Sequence, residues 1–120
     1  MCCQISSIPG CFREDFATWL SRELAPLAEQ GFTLSNPIQE DYGWGLWASH
    51  DKDPFWIALS CVEDELKAES AQWIVSVDYD AGPNVLKRLF HKPDQQAFAV
   101  LRDRLRHVLK SNPAITIVEA

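Results

Sequence analysis

Three runs of the chain, residues 43–50, 55–62 and 72–79, alternate apolar and polar positions with a period of two. That is the repeat of a half-buried β-strand. Short polar segments, HDKDP and EDELKAES, separate them, so the three runs predict an antiparallel meander. The alternation sorts side chains into two sets. Trp44, Leu46 and Ala48, then Phe55, Ile57, Leu59 and Cys61, then Trp73, Val75, Val77 and Tyr79 form an apolar set that predicts the core face. Trp47 and Ser49, then Trp56, Ala58 and Ser60, then Ile74, Ser76 and Asp78 fall on the other face, which is small or polar except for its two tryptophans. A slip of one residue would exchange the two sets. The glycines of GWG at 43–45 are where a bulge would cause it, unless they make room beside the tryptophans.

The flanks carry helical spacing. Phe12, Phe16, Trp19, Leu20, Leu24 and Leu27 predict an amphipathic helix with Trp19 in the core, and Glu14 and Asp15 in its first turn suit the helix dipole. Pro26 removes a backbone donor and restricts Ala25, so the helix should kink or end near Leu24, with a last turn stopped by Gly31. Residues 32–38 alternate loosely around Asn36 and Pro37 and predict one short edge strand. Beyond the meander, DAGP is a turn signal, residues 84–90 predict a short helix capped by Asn84, and Pro93 suits the first position of a longer one. Phe98, Leu101, Leu105, Val108 and Leu109 form its apolar stripe. Asn112 and Pro113 stop it, and β-branched residues in 114–118 predict a final strand. The sum is an α+β fold: a two-layer sandwich with a mainly antiparallel sheet of four to five strands and an N-terminal and a C-terminal helix on one face.

Length and composition fit one soluble domain over residues 1–120, with 1–10 as a flexible lead-in: 47% of residues are hydrophobic and 23% charged. The apolar runs are strand-sized, so no membrane span is expected, and the opening MCCQISSIPGCF lacks the basic and apolar regions of a signal peptide, which predicts a cytoplasmic location with reduced cysteines. Cys2, Cys3, Cys11 and Cys61 form no CxxC pair. Cys2 and Cys3 lack the polybasic or second lipid signal that would make acylation an anchor. The net charge of −6 is uneven: through Val85 four Lys/Arg meet fourteen Asp/Glu (−10), and from residue 86 seven meet three (+4). An acidic chain repels phosphate, which counts against nucleic acid even though Arg102, Arg104, Arg106 and Lys110 gather on the last helix.

Candidate chemistry is sparse. His50, Asp51 and Asp53 cluster between the first two meander strands, but turn chemistry alone accounts for them, and no metal site is assigned. No GxSxG, phosphate loop or dinucleotide fingerprint occurs, no cysteine–histidine signature marks a nucleophile, and neither a catalytic residue nor a cofactor is assigned. What remains is Trp47 and Trp56 on the outer sheet face, bordered by Glu40, Asp41, Asp78 and Asp80. Tryptophan is enriched where proteins bind proteins, and acidic neighbours steer a basic partner. The expectation is a small acidic, non-catalytic interaction protein, of the inhibitor, immunity or anti-defence kind, that takes a basic protein on this face. Two rivals are a homodimer formed through the same tryptophans, and a small-ligand-binding protein or hydrolase with a pocket lined by Trp19, Trp44 and Trp73.

Overall fold

The computed structural model describes residues 2–6, 13–62, 72–80, 92–113 and 116–119, with side chains for 16–60, 73–80 and 92–113. The elements in chain order are β1 (Cys2–Ser6), α1 (Arg13–Leu24), β2 (Phe32–Leu34), β3 (Ile38–Glu40), β4 (Gly43–His50), β5 (Asp53–Val62), β6 (Gln72–Tyr79), α2 (Gln95–Ser111) and β7 (Thr116–Glu119). The predicted helix at 84–90 lies outside the described residues. The strands join one sheet in the order β2-β4-β5-β6-β1-β7, with β3 also pairing β4, and every pairing is antiparallel. The fold is α+β, two layers deep, with both helices on one face.

The sheet is wider than the meander and its flanks, because Cys2–Ser6 forms a strand between β6 and β7. CCQIS is too short to show a period by itself. Its position comes from partners far away in the chain: Cys3 lies opposite Val75 on one side and Glu119 on the other.

The meander keeps one register throughout. Gly43 to His50 oppose Ser60 to Asp53 without an interruption, and Phe55 to Val62 oppose Tyr79 to Gln72. No bulge interrupts β4, so the two faces stand as the alternation predicts. Leu46, Ala48, Phe55, Ile57, Leu59, Trp73, Val75 and Val77 are buried beneath the helices.

From α1, Phe16, Leu20 and Leu24 descend on that face at the four-residue spacing of one helix stripe. Phe16 meets Trp73 edge-on with ring centroids 5.0 Å apart. Trp19 sits at the margin of the core rather than inside it, half-buried and stacked on Phe16. After Leu24 the chain tightens into a 3-10 segment over Ala25–Gln30, with Pro26 where the missing donor costs little, and closes at Gly31 with φ 86°. This is the left-handed conformation that glycine adopts without strain.

α2 buries Ala97, Leu101, Leu105, Val108 and Leu109, and its Phe98 packs 5.8 Å from Phe55. Its start differs from the predicted one. Asp94 is the N-cap, its carboxylate accepting from the backbone N–H of Gln96 and Ala97, so Pro93 precedes the cap and is not the first helical residue. The Asp94 N–H in turn donates to Oδ2 of Asp53 at 2.9 Å. Asp53 opens β5 and is only 6% exposed, so it belongs to the junction of sheet and helix and not to the hairpin turn.

Candidate functional site

The outer face of the sheet is built in cross-strand rows. Trp47 on β4 stands directly opposite Trp56 on β5, and Trp56 opposite Asp78 on β6. The two indoles touch, with centroids 4.8 Å apart and planes tilted by 57°. Each is half-buried. In the next row the positions on the three central strands are all small, Gly45, Ala58 and Ser76.

Gly45 explains how the pair is held. A methyl group there would collide with the six-membered ring of Trp56, at Cζ2 and Cη2, so the indole lies over the glycine backbone. The indole Nε1 donates to the Tyr42 hydroxyl at 2.9 Å, which sets its rotation. Of the two roles open to the GWG glycines, Gly45 therefore makes room for an aromatic ring. Gly43 takes a positive φ of 148°, a backbone geometry that side chains resist. Gly45→Ala is expected to displace the Trp56 ring and break its bond to Tyr42, at about 1–3 kcal/mol of overpacking. Near-UV circular dichroism and a urea unfolding curve would measure both effects.

Ser35 secures the edge beside Trp47. The predicted single strand at 32–38 is two strands, because Pro37 cannot donate and the chain leaves the ladder between Leu34 and Ile38. Ser35 bridges the break: its hydroxyl accepts the Trp47 N–H at 2.8 Å and donates to the Asn36 carbonyl, while its own N–H donates to the Trp47 carbonyl at 3.0 Å. The backbone of Trp47 is thus held on both sides.

The acidic residues are distributed around this pair unequally. Asp78 is exposed and shares the tryptophan row. Glu40 is exposed on β3 opposite Gly43, and Asp41 is exposed in the turn that leads to Tyr42. Among the described residues, none of these three forms an ion pair. Asp80 lies past the end of β6, where its N–H donates to the Pro54 carbonyl at 3.0 Å. Two apolar side chains not anticipated at the site, Ile38 at 39% and Tyr42 at 41% exposure, are the large hydrophobics left most open among the described residues. Ile38 stands opposite Gly45 and so extends the tryptophan face. No periodicity marks either in the sequence, where both flank the polar run Gln39, Glu40 and Asp41.

The residues of the other candidate sites do not converge. His50 lies against Phe32 with centroids 5.0 Å apart and comes within 3.7 Å of Asp51, whereas Asp53 is engaged with the start of α2. Trp73 is fully buried against Phe16, and Trp19 and Trp44 pack half-buried at the margin of the same core.

Tyr79 lies half-buried at the end of β6. Burial, reinforced by the Asp53 carboxylate, raises its phenol above the ordinary 10.0. The neutral phenol is therefore favoured in the folded chain, and its contribution to stability is present below pH 10 and lost as the pH rises through the folded value. Thermal melts between pH 9 and 11.5 should show an alkaline loss of stability that is shallower in Tyr79→Phe.

No helix among the described residues is long and apolar enough to cross a membrane. Comparison of the chain with known protein families, with curated proteins and with solved structures finds no match.

Proposed function

We propose that this chain is a non-catalytic interaction module that binds a basic protein partner on its outer sheet face. Inhibitors, immunity proteins and anti-defence proteins share its small size and acidic charge, and the chain is assigned to that class by analogy of composition. The observation that carries the reading is the Trp47–Trp56 pair, fixed by Gly45 and Tyr42 and flanked by Glu40, Asp41 and Asp78 without ion-pair partners among the described residues. Rigid aromatic side chains cost little entropy to immobilise, so a pre-formed pair gives binding energy efficiently. Uncompensated carboxylates at its border raise the encounter rate with a cationic surface and favour partners of that sign.

Self-association through this face is the weaker reading, since it would set the same carboxylates of two copies against each other in a chain of net charge −6. The test is capture of partners by tagged wild-type protein and by Trp47→Ala, at low and high salt. A basic protein retained by the wild type, released by salt and bound at least tenfold more weakly by Trp47→Ala is the expected result; truncation of a central aromatic anchor costs about 2 kcal/mol or more. Equal retention by both proteins would overturn the reading. Trp47→Ala is preferred to Trp56→Ala because Trp56 also covers Gly45, so its loss would confuse binding with sheet stability.

A further inference from the structure

We infer that the tryptophan row is a seat for an arginine side chain of the partner, with its guanidinium stacked on the indole pair and hydrogen-bonded to Asp78. The inference rests on the interaction reading above and specifies its chemistry. Trp56 has already given its only polar hydrogen to Tyr42, at 2.9 Å, so what it offers a ligand is the π face of the ring. That face attracts cations. Asp78 stands opposite Trp56 in the ladder, on the same side of the sheet, and residues so paired have Cβ atoms about 4.5–5.5 Å apart. The Trp56 indole leans over Gly45 on β4, so in this seat the guanidinium lies on the ring near its attachment to β5 and turns its donors toward Asp78 on β6.

Arginine fits this pairing better than lysine. Its guanidinium is flat, stacks on aromatic rings and presents a fork of donors to a carboxylate, while the ammonium of lysine is a compact and strongly hydrated point charge. Gly45 is covered by the Trp56 ring, whereas Ala58 and Ser76, small residues of the adjacent row, let an extended segment carrying the arginine approach the sheet on the side of Asp78. A second copy of this chain is a poorer occupant, because Glu40, Asp41 and Asp78 surround the seat with charge of one sign and the chain itself is acidic.

The test titrates the full chain with hexa-arginine amide and with hexalysine amide at low salt, following the tryptophan indole resonances by NMR. Wild type, Asp78→Asn and Trp47→Ala are compared, and unchanged backbone spectra away from the site identify variants that remain folded. The expected result is that hexa-arginine binds roughly three- to tenfold more tightly than hexalysine, the span that cation–π stacking provides at a partly exposed site. It should shift the Trp56 and Trp47 indole signals, and the preference should disappear in Asp78→Asn and in Trp47→Ala. Equal affinity for the two peptides, with shifts confined to the amides of the acidic residues, would overturn the arginine seat and leave the broader reading of a basic partner standing. A preference that persists in both variants would also overturn it, by placing the arginine elsewhere. Binding of neither peptide would overturn both.

Discussion

Trp73→Ala is expected to lower the unfolding free energy by about 3–5 kcal/mol, the range for deletion of a large aromatic ring from a packed core. Trp73 is fully buried between the sheet and the helices and receives Phe16 of α1 edge-on at 5.0 Å. Its removal opens a cavity between sheet and helix and takes away the ring that α1 packs against. Against a total stability of about 5–15 kcal/mol for a domain of this size, the loss is a large share of the margin. The midpoint of urea denaturation should fall with little change in slope. Trp73→Phe gives the contrast. The indole Nε1 is buried with no acceptor among the described residues, so phenylalanine sacrifices volume but removes an unsatisfied donor, and it should cost distinctly less than alanine.

Asp53→Ala should cost about 1.5–3 kcal/mol, the usual worth of a hydrogen bond to a charged group when the other partner is left without it. The Asp53 carboxylate receives the Asp94 N–H, and Asp94 is the residue that caps α2. Loss of the first contact therefore loosens the second, and the start of α2 should detach before the sheet does. Hydrogen exchange is the discriminating measurement. Amides of Gln96 and Ala97, which donate to the Asp94 side chain, should exchange faster in Asp53→Ala, while those in the centre of β5 and β6 keep their protection until global unfolding. Uniform loss of protection would mean that Asp53 supports the whole domain and not this junction.

The parts of the fold that could be read from the sequence are those set by local periodicity. Period-two alternation in β4, β5 and β6 placed Leu46, Ile57 and Val75 inside and Trp47 and Trp56 outside, and an unbroken ladder keeps them so. Pro26 and Gly31 marked the end of α1 because each acts on its own backbone. What could not be read depends on partners distant in the chain. Cys2–Ser6 has no pattern of its own and becomes a strand only because β6 and β7 provide a slot. Asp53 looked like a turn residue because HDKDP is a turn sequence, and only the arrival of α2 gives its carboxylate a different partner. The same holds at the candidate site. Tryptophan and acid were visible as residue types, whereas the packing of Trp56 on Gly45, its bond to Tyr42 and the bridge through Ser35 depend on how three strands lie side by side.

The position of β1 between β6 and β7 has a consequence for the order of folding. Cys3 meets Val75 on one side and Glu119 on the other, so both of its ladders close only between segments far apart in the chain. Until β6 and β7 are in place, the backbone donors and acceptors of β1 are left to water or to another chain. Such non-local closure slows folding and exposes an edge to other chains.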